Sequence, residues 1–347
     1  MRISDPNDAA RHHPAQRTHS TQLHLIFSEM AKSAGKIRIG ISGWRYKPWR
    51  GTFYPKGLTQ KKELLFAAER FSSIEINGTF YSLQRPDSFA AWHAETPPDF
   101  RFAVKGSRFI THMRRLLNAE APLANFFAQG LLRLEEKLGP ILWQFPPNFQ
   151  FDPQRLEVFF HLLPRTHKEA AELGRKHDTR LNGRTWLSVR KDGPIRHAIE
   201  IRHPSFVCEE FITLLRLHSI SLVKADTVEW PLLMDLTSDL VYCRLHGSEE
   251  LYTSGYSPLA LDQWAQRISD WAQGNEVNDG EKAAKKPARK RAKRDVYLFF
   301  DNDAKVRAPI DAQNLIRRIE SQRLPASSTA AAAVEQKPER RSTPETK

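Results

Sequence analysis

Short apolar runs alternate with longer amphipathic stretches along most of the chain. The short runs are apolar on both faces, which is typical of parallel strands covered by helices. Eight runs predict strands, at 37–42, 72–77, 100–106, 139–145, 196–202, 220–226, 240–247 and 295–302. The helical patterns between and after them lie at 59–70, 86–95, 119–137, 153–163, 205–218, 257–273 and 309–320.

Eight strands that each precede helical or helix-like sequence predict an α/β fold of the TIM type, a closed (β/α)8 barrel, rather than an open doubly wound sheet. No Gly-x-Gly-x-x-Gly and no Walker A motif follows a strand, which weighs against dinucleotide-binding and P-loop folds. The barrel is predicted to be a single domain over residues 36–325. Polar sequence without periodicity predicts a disordered leader at 1–35 and a disordered tail at 326–347.

Two predicted connections are unusually long. Residues 165–194 are charged and are expected to form an excursion between the fourth and fifth strands. Residues 275–294 contain a basic low-complexity insertion. Within 281–295 there are eight Lys or Arg residues and two acidic ones, and eight minus two gives +6 of the chain's net charge of +13. We expect a disordered, exposed loop here.

The basic insertion has two interpretations. A flexible basic loop over 281–294 can bind nucleic acid through phosphate contacts. The simpler alternative is a solvated insertion, because charge runs are common and no aromatic residues are interleaved for base stacking.

Composition narrows the cellular setting. No apolar run reaches the roughly 18 residues that cross a membrane, so no membrane span is predicted. The two cysteines, Cys208 and Cys243, cannot form a disulfide framework, and a cytoplasmic location is expected. The absence of a Gly-x-Ser-x-Gly motif leaves serine-based acyl transfer without support.

Polar residues end the predicted strands, which is where TIM barrels carry their active sites. At four of these ends, polar residues stand at positions i and i+2, which share one face of a strand. These pairs are Glu75 with Asn77, Glu200 with Arg202, Lys224 with Asp226, and Arg244 with His246. If that face is the barrel interior, charged groups converge in one space, where burial is costly unless they are paired or neutralised by a ligand. The alternative is a self-satisfied ion network that plugs the barrel.

The pattern predicts an enzyme that acts on an anionic substrate, bearing phosphate or carboxylate. The predicted site is the rim formed by the carboxyl ends of the strands. The predicted catalytic residues are Glu200 or Asp226 as general base and His246 or His203 as acid or proton shuttle. Lys105, Arg202 and Arg244 are expected to hold the anion, since a guanidinium group binds two oxygens at once. The other predicted substrate-binding residues are Glu75, Asn77, Tyr81, Gln144, Trp44 and Asn302.

Three alternatives remain open. A metal-dependent phosphodiesterase or isomerase-like enzyme would place Glu75, Glu200, Asp226 and His246 around manganese, zinc or magnesium, although the neighbouring cations already neutralise these carboxylates. A nucleic-acid-binding protein would use the basic insertion. A non-catalytic sensor would bind a small anion without turning it over.

Several motifs, in order along the chain, are shared with one known family. They are IGISGWRYKPWRGTFYP, IEINGTFY, FRFAVKGSRFITH, LGPILWQFPPNF, AIEIRHPSF, YCRLHGSEELYTSGY and YLFFDND. Together they resemble the YecE-like family of uncharacterised TIM-barrel proteins (domain of unknown function 72), over about residues 37–320. The resemblance implies a TIM barrel and no particular activity. Most of the predicted rim residues lie within these motifs, whereas the basic insertion and both tails lie outside them.

Overall fold

The predicted barrel is present. The computed structural model describes residues 34–247 and 251–323, so nearly all of the predicted leader and the whole predicted tail lie outside the described residues. Parallel strands pair in chain order, and the last pairs with the first to close the barrel. The strands are β1 (Ile37–Ser42), β2 (Ser73–Ile76), β3 (Arg101–Lys105), β4 (Leu138–Gln144), β5 (His197–Glu200), β6 (Ser221–Asp226), β7 (Leu240–Leu245) and β8 (Asp295–Phe300).

Helices of the described residues cover the outside of the barrel. They are α1 (Glu63–Ala68), α2 (Gly78–Tyr81), α3 (Pro86–Ala94), α4 (Glu120–Ala128), α5 (Pro153–Leu162), α6 (His167–Gly174), α7 (Glu209–Leu217), α8 (Pro258–Ala272) and α9 (Arg307–Arg323). Shorter 3-10 or π turns lie at Lys47–Trp49, Gln60–Lys62, Phe109–Met113, Leu131–Lys137, Thr179–Leu181 and Pro204–Phe206. Across 34–247 and 251–323, none of the helices has both the length and the apolar character needed to cross a membrane.

The strands bury both faces, as the apolar runs predict. Outward side chains such as Ile41 and Trp143 pack with the helices in one large cluster. Inward side chains form a second, smaller cluster that includes Ala103, Val223 and Tyr242. This inner cluster fills the barrel below the carboxyl ends of the strands, so polar groups inside the barrel are concentrated at that end.

The predicted helix 119–137 is wrong in its second half. Helix α4 ends at Ala128, and a 3-10 segment follows from Leu131. The helix breaks at Gly130, whose φ is 117°. Glycine adopts this angle without strain, whereas other residues do not. A Cβ on Gly130 would also lie 2.5 Å from the Cα of Pro86, so the chain turns where no other residue fits.

The excursion at 165–194 contains a helix of its own. Thr166 precedes α6, and its side chain accepts a hydrogen bond from the N–H of Glu169. This is a standard N-cap, which satisfies a donor that the helix leaves open.

The basic insertion forms neither helix nor strand, but the prediction of a disordered loop is wrong for its backbone. The N–H groups of Ala283 and Ala284 donate to the carboxylate of Asp235 at 2.8 and 3.0 Å. The buried guanidinium of Arg294 donates to two backbone carbonyls. The prediction of exposure holds for the remaining basic side chains apart from half-buried Lys282. The exposed ones are Lys285, Lys286, Arg289, Lys290, Arg291 and Lys293.

Candidate functional site

The carboxyl ends of the strands form one end of the barrel, which we call the barrel mouth. Arg244 on β7 is fully buried at its centre and binds three carboxylates. Its Nε and Nη2 donate to the two oxygens of Glu75, at 3.1 and 3.0 Å. Nη1 donates to Glu200 at 2.7 Å, and Nη2 also donates to Asp301 at 2.8 Å. Burial alone would lower the pKa of Arg244, but the three carboxylates hold that pKa well above its usual value. One guanidinium therefore ties together the mouth ends of β2, β5, β7 and β8.

Neutral groups complete the hydrogen bonding of two of these carboxylates. Glu75 accepts from the hydroxyl of Ser42 at 2.8 Å and from that of Tyr242 at 2.6 Å. Glu200 accepts from the side-chain amide of Gln144 at 2.7 Å. Both glutamates are fully buried, so each lone pair that finds a donor reduces the cost of burying the charge.

Glu200 and Arg202 form the ion pair that their i, i+2 spacing predicts. Nε and Nη2 of Arg202 donate to Oε1 of Glu200 at 3.0 and 2.9 Å. Burial would raise the pKa of Glu200, but Arg244 and Arg202 hold that pKa well below its usual value. Because both oxygens already accept strong hydrogen bonds, Glu200 is poorly suited to take up a proton as a general base.

His246 belongs to the same network. Its Nδ1 lies 3.1 Å from Asp301, and its Nε2 lies 3.4 Å from Nη1 of Arg244. Since arginine can only donate, Nε2 is assigned as the acceptor and Nδ1 as the protonated nitrogen that faces Asp301. Arg244 and His246 together outweigh burial and lower the pKa of Asp301. His246 is fully buried, and its Nδ1 lies close to Asp301 without the alignment of a hydrogen bond.

Lys105 of β3 differs from the other charged groups of the mouth. Its side chain is buried, and its Nζ lies 4.5 Å above the ring of Phe80. Among residues 34–247 and 251–323, its ammonium group has no hydrogen bond and no carboxylate within 4.0 Å. Burial, aided by the charge of Arg244, lowers the pKa of Lys105 to about 8.

The described charged groups of the network at the mouth sum to zero, but they are not all in contact with a group of opposite charge. Among the described residues of the network, the three carboxylates of Glu75, Glu200 and Asp301 face the cations Arg244, Arg202 and Lys105, and three minus three is zero. The carboxylates are all in contact with Arg244, and one of them also with Arg202. Within 34–247 and 251–323, Lys105 therefore contributes a positive charge that no carboxylate contacts.

His112 is a functional candidate that the strand-end rule missed. It lies in the π turn Phe109–Met113 after β3, with Nδ1 2.8 Å from the hydroxyl of Thr111. Burial and the charges of Arg202 and Lys105 lower the pKa of His112 to about 4. The imidazole packs edge-on against Phe80, with the ring centroids 5.1 Å apart, and Nζ of Lys105 lies over the same ring. The motif FRFAVKGSRFITH contains this histidine, and π turns are frequent at functional sites.

Comparison with known proteins gives the family. The family model described as protein of unknown function DUF72 matches residues 38–336. The chain belongs to the DUF72 family. The matched range includes every charged residue of the mouth described above.

Two curated proteins are similar to the chain over part of their length. The chain is 26% identical to the UPF0759 protein YecE of Escherichia coli K12 over 182 residues, which is 52% of this chain and 54% of that protein. It is 30% identical to the UPF0759 protein YunF of Bacillus subtilis 168 over 118 residues, which is 33% of this chain and 41% of that protein. The chain thus spans about half the length, or less, of the curated relatives it matches.

Solved DUF72 structures share the fold. A DUF72 family protein from Thermotoga maritima MSB8 aligns with a TM-score of 0.61 and 24% identity, over 82% of this chain and 99% of that one. A DUF72 family protein from Enterococcus faecalis V583 aligns with a TM-score of 0.58 and 18% identity, over 82% of this chain and 95% of that one.

Strand β6 of this DUF72 barrel corrects the prediction that Lys224 and Asp226 face inward. Val223 and Ala225 belong to the inner cluster, so the residues that alternate with them point toward the helices. Asp226 accepts a hydrogen bond from the indole of Trp264 on α8 at 3.0 Å. The predicted role of Asp226 as a general base at the mouth therefore has no support from its position.

His203, Tyr81, Trp44 and Asn302 also lie apart from the network. His203 accepts a hydrogen bond from the N–H of Ser205 and caps the turn that follows β5. Tyr81 is 66% exposed, so its hydroxyl is open to water. Trp44 packs edge-on against Trp92 in the outer core.

Two asparagines were also predicted to bind substrate. The amide of Asn302 donates to Ser254 and Asp311, which fixes the start of α9 rather than the mouth. Asn77 lies at the edge of the mouth, beside the hydroxyl of Tyr46.

The predicted metal ligands do not converge. Asp226 faces α8, and the guanidinium of Arg244 occupies the space between Glu75 and Glu200. His246 has both nitrogens directed at other network members. The four residues therefore do not fit a divalent cation, because arginine already supplies the positive charge that the carboxylates require.

Proposed function

We propose that this DUF72 protein is an enzyme that binds a small anionic substrate, carrying a phosphate or carboxylate group, at the barrel mouth. The supporting observation is Lys105, whose side chain is only 8% exposed and whose ammonium contacts no carboxylate in the described part of the chain. A buried charge without a partner is costly. A substrate anion would supply that partner, and the pKa of Lys105 would then rise.

Arg202 is the second anchor of the proposed site. Its guanidinium stacks on Trp230, with Cζ 3.6 Å from the ring centroid, and its side chain is 11% exposed. Nε and Nη2 contact Glu200, whereas Nη1 makes no hydrogen bond to any described residue. Stacking fixes the plane of the guanidinium, so Nη1 is held ready for an anion at the mouth.

His112 is the proposed general base. Its imidazole is neutral at pH 7 because its pKa is about 4. An anion bound between Lys105 and Arg202 would cancel their repulsion and raise the pKa of His112 toward its ordinary value. The base then becomes stronger only when substrate is present, and the two cations stabilise the negative charge that proton abstraction leaves on the substrate. Glu200, Asp301 and His246 act in this proposal by holding Arg244 and Arg202 in place.

Binding and turnover test the proposal separately. We expect inorganic phosphate or a member of a panel of sugar phosphates and dicarboxylates to bind in isothermal titration calorimetry. Lys105→Met should weaken that binding at least tenfold, since a charge-assisted hydrogen bond contributes about 1.5–3 kcal/mol. Lys56→Met, at an exposed lysine, is the matched control.

His112→Gln should retain binding and lose product formation. Binding without any turnover in the wild type would identify an anion sensor instead of an enzyme. Equal affinity in Lys105→Met and Lys56→Met would reject the site.

Nucleic-acid binding is a second candidate function. It is favoured by the exposed basic side chains of the insertion, whose backbone is anchored to Asp235 through the N–H groups of Ala283 and Ala284. The insertion leads into the amino end of β8, opposite the mouth, so its binding is expected to be independent of the proposed active site.

We expect DNA affinity to fall with salt in a way that depends on this insertion. Replacing Lys285, Lys286, Lys290 and Lys293 by Gln should reduce the log–log salt slope by about 3.6 if all four contact phosphate, since each lost contact removes roughly 0.9. A control protein with Gln at Lys47, Lys56, Lys61 and Lys62 has the same net charge. Equal slopes in the two proteins would assign DNA binding elsewhere.

A further inference from the structure

A cavity of about 350 Å³ opens at the other end of the barrel, beside the amino ends of β3, β4, β5 and β8. It lies between the start of these strands and the segment 189–194, which is part of the excursion before β5. Its volume falls in the range of about 300–1,000 Å³ that is usual for small-molecule sites. The inner apolar cluster separates it from the mouth.

Tyr297 of β8 lines this cavity. Tyr297 is only 3% exposed, yet its hydroxyl makes no hydrogen bond to any residue in 34–247 or 251–323. Gly139 leaves room for the ring, because a Cβ there would lie 3.4 Å from Tyr297 and 2.7 Å from the carbonyl oxygen of Phe102. The hydroxyl is not one of the enclosed, unpaired polar atoms of the described residues, so it is open to the cavity and can hydrogen-bond a ligand there.

Two guanidinium groups at the cavity also have donors to spare. Nη1 of Arg196 pairs with Asp295 at 2.9 Å, and Nη1 of Arg101 donates to the carbonyl of Phe100 at 2.9 Å. Their Nε and Nη2 groups make no hydrogen bonds among the described residues. The side chains are 26% and 22% exposed, so both charges are partly withdrawn from water while keeping open donors.

The acidic residues of the cavity already have partners. Glu136 pairs with His93 at 3.2 Å, and Asp192 accepts from backbone N–H groups. Glu135 pairs with Arg190 at 3.4 Å. Four cations and three carboxylates line the cavity, and four minus three leaves +1.

We propose that this cavity binds a small organic anion. Its phosphate or carboxylate group is held by Arg196, Arg101 and the hydroxyl of Tyr297. Its carbon body lies against the apolar part of the wall, which includes Leu132 and Val189. The site is distinct from the mouth and shares no residue with it.

Calorimetry with phenyl phosphate and with benzoate tests this site and distinguishes phosphate from carboxylate. The titrations use wild type and Lys105→Met, in which the proposed anion site at the mouth lacks its lysine. Binding should persist in Lys105→Met and weaken five- to tenfold when Tyr297→Phe is added, without a lower melting temperature of the free protein. Tyr81→Phe, at an exposed tyrosine outside this cavity, is the matched control.

Phenylglyoxal modification maps the binding site. The bound probe should protect Arg196 or Arg101 in wild type and fail to do so at the same concentration in Tyr297→Phe. The proposal is overturned if neither probe binds Lys105→Met at millimolar concentration, or if Tyr297→Phe binds as tightly as Tyr81→Phe.

Discussion

Arg244→Met is expected to lower the free energy of unfolding by about 3–5 kcal/mol, the usual cost of removing one partner from a buried ion pair. The variant leaves Glu75 and Glu200 buried without their main counter-charge, and Asp301 loses its strongest partner. For a domain of this size, the melting temperature should fall by roughly 10 °C. Thermal unfolding followed by circular dichroism measures the effect.

The loss of stability in Arg244→Met should depend on pH in a way that distinguishes charge from packing. In the wild type, the pKa values of Glu200 and Asp301 lie below those of the unfolded chain. Their contribution to stability is therefore complete above about pH 4 and is lost as pH falls through the folded-state values. Without Arg244, burial dominates and raises both pKa values, so the penalty is largest at neutral pH and is relieved as pH falls.

The stability gap between wild type and Arg244→Met should thus narrow from pH 7.5 to pH 4.5. Arg318→Met is the control, because Arg318 pairs with Asp262 on the surface, where such pairs contribute about 0–1 kcal/mol. A gap that stays constant over this pH range would show that Arg244 stabilises the barrel by packing rather than by its charge.

The barrel could be predicted because its signal is repeated eight times along the chain. Apolar runs of strand length, each followed by helical sequence, leave few architectures that bury both faces of every strand. The helix predicted at 119–137 failed for a local reason. Apolar periodicity continues through Gly130, and only its backbone conformation ends the helix there.

The mouth was predicted in part, because a strand's period shows which residues share a face but not which face points inward. The assumed phase was right for Glu75, Glu200 and Arg244 and wrong for Asp226. On β6 both faces are buried, and small Ala225 occupies the inner position beside Arg244 on the next strand.

His112 was missed because it lies several residues beyond the end of β3. Its position in the sequence does not show that it lies near Lys105 and Arg202 in the folded protein. The charges of both cations act on its imidazole in the folded protein. Only the folded π turn brings the three groups together, so a search limited to strand ends could not select this histidine.

Lys105→Met is expected to make the protein more stable and to weaken anion binding at the mouth at least tenfold. The pKa of Lys105 is about 8 in the folded protein, against 10.5 for an ordinary lysine. The buried ammonium therefore costs stability below pH 8, and this cost fades as pH rises from about 8 to about 10.5. Methionine removes the charge and keeps most of the volume, so we expect a gain of roughly 1–3 kcal/mol at pH 7 that disappears above pH 10.

Lys224→Met is the matched control, because burial also lowers the pKa of Lys224 to about 8. Its Nζ, however, donates to the carbonyl oxygens of Leu222 and Asp235 at 3.1 and 2.5 Å. Removing it leaves two buried acceptors unpaired, which costs about 1–3 kcal/mol each before relaxation. The two substitutions should therefore change stability in opposite directions at pH 7. If Lys105→Met destabilises the fold as Lys224→Met does, Lys105 is a structural residue and the anion site loses its main support.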